Sequence, residues 1–320
     1  MAGNITHNKL FMGVHSRLPL NVQKDFDLYI WNKHRILGQG HDLLFFYMFR
    51  HPHKIPSLLR DLRVIESKYI QKFAVRYINW LNEYNLNTHE SLLFLYGYLA
   101  HHFLDAKVHP LIICETGDLL SCKKARDNHS YAEAKIDAWI LREMGINPRS
   151  FRIESIISSN AKLTKETREV IRRSFYDTYL IEDFDKVFVN YNQDMKFFWK
   201  HLRHDSTGIK TRVFDLLDVP MKSVFTPSTL PFNFDGTEAD EYLNLENKNW
   251  THPIIGSIHN ESFPELFNEA EGEITVMLGQ LHEAIKDKAT NEQIESIIPN
   301  VSSITGLHYT YRNIKYLKKS

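Results

Sequence analysis

The chain is expected to be an all-α protein, a multi-helix bundle with a long irregular excursion late in the sequence. Helical periodicity dominates and alternating, strand-like stretches are nearly absent. Glycine is scarce, 13 in 320 residues, and no glycine-rich phosphate loop of either common pattern occurs. The most apolar run, residues 92–113, carries His101, Asp105 and His109 at four-residue steps. At about 3.6 residues per turn such steps keep all three within roughly an 80° arc of one helix face.

Residues 7–12 form a short apolar segment ended by Gly13 and later Pro19. Residues 21–37 are expected to be helical, with Gly38 and Gly40 stopping the helix. The run 41–50 opens the next helix, with Asp42 in the first turn, where a carboxylate suits the helix dipole. His51-Pro52-His53 breaks it. Residues 55–84 are expected to hold one long helix with a bend. Thr88 is the N-cap expected for the central helix, and Pro110 should end or kink it. After a solvated loop, 115–128, a second helix carrying His129, Glu133 and Asp137 runs to Met144 and stops at Gly145. Helices are expected at 151–159 and 164–204. Pro220, Pro227, Pro231, Gly236 and Pro253 mark 220–262 as irregular, a length that points to a functional or covering loop. An amphipathic helix at 263–288 and a mixed basic tail complete the chain. No linker divides it, so one domain is expected over 1–320, with metal-binding helices in 1–145 and a helical extension in 146–320.

An apolar fraction of 43% and an aromatic fraction of 12% are those of a globular protein with a real core. Lys+Arg and Asp+Glu both number 39, so there is no overall basic field for nucleic acid and no polybasic membrane patch. No uncharged apolar run reaches the ~18 residues of a membrane span. Met1 to Phe11 lack the features of a signal peptide, and two cysteines, Cys114 and Cys122, suit a reducing compartment. A cytoplasmic location is therefore expected.

Histidine is the unusual count. There are 17, of which 11 precede residue 130. A single His-x-x-x-Asp pair on a helix is more often a surface pair or a satisfied core pair. Here the pair lies in an apolar helix, His109 follows it, and His129-x-x-x-Glu133 repeats it. A buried carboxylate is costly unless something charged pairs with it. Imidazole nitrogen and carboxylate oxygen form the ligand set of Zn²⁺, Mn²⁺ or Fe²⁺, and a two-oxygen carboxylate such as Asp105 can bridge two ions. Ions a few ångströms apart activate water and hold phosphate oxygens during displacement. His102 points about 100° away and is expected to pack rather than ligate. Of the remaining aromatics, Phe45, Phe46, Tyr47 and Phe49 are expected in the core, and Trp250 should anchor the excursion. His201, His204, His252, His259, His282 and His308 have no ligand spacing.

Several segments together resemble the zinc-dependent phospholipase C superfamily, which includes single-strand-specific zinc nucleases, and more closely its non-secreted bacterial branch. They are Gly97-Tyr-Leu-Ala-His101-His-Phe-Leu-Asp105 through His109-Pro110, His129-x-x-x-Glu133, Leu37-Gly-Gln-Gly-His-Asp42, and Thr6-His7. Weaker likenesses follow at 243–253 and 262–266. The resemblance implies two or three zinc ions and a phosphate-ester substrate, phospholipid among the candidates. It implies that Asp42, His101 and Asp105 bind one ion with His51 or His53. Asp105 would bridge to a second ion held by His7, and His109, His129 and Glu133 would bind a third. It also makes Asp42 the general base.

The chain departs from the pattern in places. Secreted members use the amino terminus of a mature tryptophan as a ligand. This chain opens Met-Ala-Gly, so the His7 site is expected to be weaker, or completed by another group such as His15. His41 replaces the branch's proline before Asp42. The interval from Asp105 to His109 is shorter than in secreted members, and His51 and His53 lie closer to Asp42. The expected activity is hydrolysis of a phosphoric ester. The alternatives are a helical protein whose metal site is structural or degenerate, and an HD-type phosphohydrolase suggested by the His41-Asp42 doublet.

Overall fold

The computed structural model describes residues 3–117, 123–201 and 234–311. Among these the chain is all-α apart from one two-stranded hairpin. The organising element is the 28-residue helix α7, His89–Thr116. Thr88 caps it by accepting the Ser91 N–H, Glu90 sits in its first turn, and Gly117 ends it at φ 92°. Nearly all of its residues are buried, so it is a core helix enclosed on every side. Pro110 does not end it. Proline removes only one helical hydrogen bond, and packing around α7 holds the remaining turns to Thr116.

Around α7 stand α1 (Asn4–Arg17), a 3-10 segment (Arg35–Asp42), α8 (Lys123–Glu143) and α12 (Phe263–Lys286). A second layer pairs α6 (Ile70–Glu83) with α9 (Lys165–Tyr179), and α4 (Leu43–Arg50) with α10 (Tyr191–His201). One cluster of buried apolar side chains runs from Ile5 to Ile298. Phe46 and Tyr47 belong to it, and Phe46 and Phe49 both pack on Phe198. Among the described residues no helix is long and apolar enough to cross a membrane.

Several expected boundaries shift. The N-terminal segment is a full helix, α1, rather than a short run ended by Gly13. The helix expected over 21–37 divides into α2 (Leu20–Asp25), α3 (Leu28–Lys33) and the 3-10 segment, because Asp27 caps a new start at Leu28 by accepting the Ile30 N–H. The helix expected over 55–84 is cut into α5 (Ile55–Ser67) and α6, with Tyr69 left-handed at φ 67°. Within 151–159 only a short turn, Ile153–Ile156, forms. The span 164–204 is interrupted between Leu180, left-handed at φ 59°, and the turn Phe184–Phe188.

Positions 220–233 of the irregular excursion lie outside the described residues, as does Cys122. The rest of it holds α11 (Asp240–Leu243) and the hairpin of β1 (Trp250–Thr251) and β2 (Ile258–His259). Trp250 is buried where β1 meets α7, and its indole donates to the Glu261 carbonyl. The C-terminal region adds α13 (Asn291–Ile297), opened by a Thr290/Gln293 capping box. Residues 301–308 then lie against α7, and Tyr309 packs on Tyr69; residues 312–320 of the mixed basic tail lie outside the described residues.

Candidate metal centre

Four stretches distant in sequence converge on Asp105. The 3-10 segment crosses α7 closely because Gly97 has no side chain. A Cβ there would lie 2.4 Å from the Leu37 carbonyl oxygen. Gly40 adopts φ 52° and sits directly over His101, where a Cβ would come within 2.6 Å of the ring's root. That crossing delivers His41 and Asp42 to the His101 face of α7. From the opposite side α1 delivers His7, and α8 delivers His129 and Glu133.

The α1 placement has its own anchor. The first turn of a helix has N–H groups with no intrahelical partner. Gly3, at the cap position, has no side chain to offer, and a Cβ there would lie 2.5 Å from Asp137 Oδ1. Asp137 supplies the acceptor from α8, taking the Ile5 N–H at 3.0 Å, the Thr6 N–H at 2.9 Å and the Thr6 hydroxyl at 2.7 Å. So Asp137, which follows Glu133 at the same spacing, holds α1 in place rather than joining the His/carboxylate groupings.

Those groupings number three among the described residues: His7 with His101 and Asp105; His41 with Asp42 and His101; and His109 with His129 and Glu133. His7 Nε2 lies 3.2 Å from Asp105 Oδ1, and His101 Nε2 lies 3.2 Å from Asp105 Oδ2. His109 Nε2 lies 3.6 Å from Asp105 Oδ1 and 3.8 Å from Glu133 Oε1, and His129 Nε2 lies 3.0 Å from Glu133 Oε1. Asp42 Oδ1 lies 3.9 Å from His101 Nε2 and 4.0 Å from His41 Nε2. Ligands about 2.0–2.1 Å from a tetrahedral ion are separated from one another by about 3.3 Å. The closest pairs already stand near that separation, and the wider ones, within 4.8 Å, would have to draw in by up to about 1.5 Å to hold ions.

The nitrogen of His101 provides a sharper test of fit. His101 is fully buried with its Nε2 3.2 Å from Asp105 Oδ2 and 3.9 Å from Asp42 Oδ1. A buried imidazole nitrogen between two carboxylate oxygens is chemically suited to hold a cation with them. A cavity of about 20 Å³, lined by His7, Asp105, His109 and Glu133 among others, has room for about one water or ion.

The electrostatics follow from burial and crowding. Burial would raise the Asp105 carboxyl, but His101, His109 and His7 hold it well below the usual carboxylate range. Burial likewise opposes charge on His109, and Asp105 and Glu133 overcome it, taking the ring up to about 9. Burial keeps His7, His41 and His129 below the ordinary histidine value. The Asp42 carboxyl is pushed up by burial, as is Glu66, which reaches about 8 with Asp42 beside it adding to the effect.

Comparison with protein-family models, curated proteins and solved structures finds no match to this chain.

Seven of the residues expected at the site are brought together: His7, Asp42, His101, Asp105, His109, His129 and Glu133. His51 and His53 belong to none of the groupings. His51 stacks on Tyr47 and bonds through Nδ1 to the Tyr47 carbonyl, and the His53 side chain is exposed. His15 does not complete the His7 site. Its Nε2 bonds to the Phe26 carbonyl and its ring packs on Trp31. His102 faces away as its helical position requires, toward the Val301 carbonyl at 2.8 Å. His252, His259, His282 and His308 stand outside the groupings; His282, for example, links Tyr96 to Asp25. His204 lies outside the described residues.

Three participants carried little sequence signal. Glu66, at the end of α5, places Oε1 3.7 Å from His41 Nε2. Ser303 accepts a hydrogen bond from His109 Nδ1 on its carbonyl at 2.8 Å, the kind of contact that orients a ligating imidazole. Ser302 and Ser303 also donate to the Glu66 carbonyl, so the C-terminal segment ties α5 to α7.

Proposed function

We propose that this chain is a metal-dependent phosphoric-ester hydrolase of the zinc-dependent phospholipase C type. The observation supporting this reading is the sharing of one buried aspartate, Asp105, by imidazoles from α1 and α7, next to a second carboxylate–imidazole grouping on α8. Adjacent sites joined by a bridging carboxylate suit chemistry on an oxygen-rich group such as a phosphodiester better than they suit a closed structural site.

Asp42, His101 and Asp105 would hold one ion, Asp105 with its second oxygen and His7 a second, and His109, His129 and Glu133 a third. When bound, divalent ions supply Lewis acidity, lowering the pKa of water and neutralising phosphate oxygens. Asp42 would take the proton of an attacking water, an uptake that its burial favours. Leu104, Val108, Ile112, Ile136 and Phe263 exclude bulk water from the Asp105 side, which strengthens the field of every charge within. The Ser303 carbonyl fixes the His109 tautomer, leaving Nε2 directed at Asp105 and Glu133.

The test combines metal analysis with turnover. Mass spectrometry on protein purified without added metal should find at least two ions per chain. The same protein should hydrolyse bis(p-nitrophenyl) phosphate and lose that activity on chelation. Less than one ion per chain would overturn the reading. Two or more ions with no hydrolysis of any phosphoric ester would favour a structural site.

A further inference from the structure

We propose that His41 and Glu66, and neither His51 nor His53, complete the cation site formed by Asp42 and His101. The inference rests on the metal reading above but assigns ligands that the sequence pattern does not.

His41 is 1% exposed and its ring meets that of His101 edge-on, with centroids 4.4 Å apart. Its Nε2 lies 4.0 Å from Asp42 Oδ1, and both join His101 Nε2 in one grouping. Three buried donor atoms within 4.8 Å of one another would supply one face of a coordination shell. The Nε2 of fully buried His101 lies 3.9 Å from Asp42 Oδ1. On the side toward solvent stands Glu66, with Oε1 3.7 Å from His41 Nε2 and 23% of its side chain exposed. Its backbone carbonyl is held by the Ser302 and Ser303 hydroxyls, and closing the remaining distance needs only a side-chain rotation. A hydrogen-bond partner for His41 alone would not explain the arrangement. The gap exceeds hydrogen-bond length, and Asp42 already brings one carboxylate to the same nitrogen.

The two histidines expected in this role are otherwise engaged. His51 is held by stacking and a hydrogen bond on Tyr47, 6.3 Å by ring centroid from His53, which faces solvent. Local chain geometry explains the exchange. Gly40 turns the backbone at φ 52° so that the residue following it, His41, falls over His101. Proline at 41 could not supply a nitrogen ligand there.

The experiment titrates chelator-stripped protein with Zn²⁺ by calorimetry and counts ions by mass spectrometry. His41→Gln should weaken one ion by more than about 100-fold, since loss of a group that merely orients a ligand costs 10–100-fold. Glu66→Gln should weaken the same ion by at least about 10-fold, and the double variant His51→Ala/His53→Ala should match wild type. The remaining ions should bind as before in every variant. Loss of an ion in the His51/His53 variant with unchanged binding in His41→Gln would overturn the assignment and leave the metal reading standing. Absence of zinc binding by wild type would overturn both. Anomalous scattering from a zinc-loaded wild-type crystal needs no variant to fold. It should place an ion about 2.1 Å from His41 Nε2, and an ion bonded to His51 or His53 instead would refute the assignment.

Discussion

Asp137→Ala separates an anchoring role from a ligand role at a residue whose spacing suggests either. The side chain is 2% exposed and takes three donors from α1. Removing it leaves the Ile5 and Thr6 N–H groups buried without an acceptor, while the Thr6 hydroxyl can rotate toward another partner. Loss of an N-cap acceptor costs about 0.5–2 kcal/mol. A buried donor left unsatisfied costs about 1–3 kcal/mol. With two backbone donors stranded, the expected loss is about 2–4 kcal/mol, measured by urea unfolding of chelator-stripped protein. The first turn of α1 should loosen, so zinc held by His7 should weaken, while the His41/Asp42/His101 and His109/His129/Glu133 groupings keep their ions. If the stripped variant unfolds within about 0.5 kcal/mol of wild type yet one of those groupings loses its ion, Asp137 is a ligand and the anchoring argument is wrong.

Asp105→Asn should lower zinc content by at least one ion per chain. The stabilisation gained from zinc should shrink with it, a term worth about 4 kcal/mol when free metal is 1,000-fold above its dissociation constant; unchanged metal content would contradict the bridging role. Gly97→Ala should destabilise the chain by up to about 3 kcal/mol in thermal unfolding, since crowding the Leu37 carbonyl costs about 1–3 kcal/mol and the helix preference of alanine over glycine returns at most about 1 kcal/mol; a variant more stable than wild type would refute the close crossing. His34 sets an acid limit. Burial pulls its folded pKa down to about 4 from the ordinary histidine value of 6.5, so the unfolded chain takes the proton first. Its contribution is therefore complete above pH 6.5 and is lost as pH falls toward 4, by at most about 3 kcal/mol for a 2.5-unit difference (6.5 − 4). His34→Gln should flatten that part of the pH–stability curve.

The all-α fold, the central helix with its Thr88 cap, and the two ligand-bearing helices were legible because periodicity and capping act over a few residues. The breaks were not. Tyr69 and Leu180 turn the chain in left-handed conformations that glycine or asparagine normally signals, so tertiary packing decides there against local preference. The site divides along the same line. His101, Asp105 and His109 share one helix face, and His129 with Glu133 repeats the step, so spacing alone groups them. Asp137 continues that spacing but lies one turn further along α8, where its neighbour is the start of α1 rather than another imidazole. Glu66 has no spacing relation to any partner, and only the fold carries the end of α5 to His41.

Pro110 and the end of the chain show how far such tertiary decisions reach. A proline inside α7 has no N–H for the Ala106 carbonyl one turn back. Gly306 fits against that carbonyl so closely that a Cβ would lie 2.4 Å from its oxygen, and its φ of 67° suits glycine as well. The same crossing sets the Val301 carbonyl on His102 and the Ser303 carbonyl on His109, flanking the Asp105 turn. Proline thus breaks the backbone ladder at the place where the C-terminal segment is received, directly after a candidate ligand. Ser303 acts through its backbone, so its side chain could not announce the role. It follows that a bulky residue at position 306 should disturb His109 more than any nearby surface change, because it lifts the one carbonyl that fixes that ring.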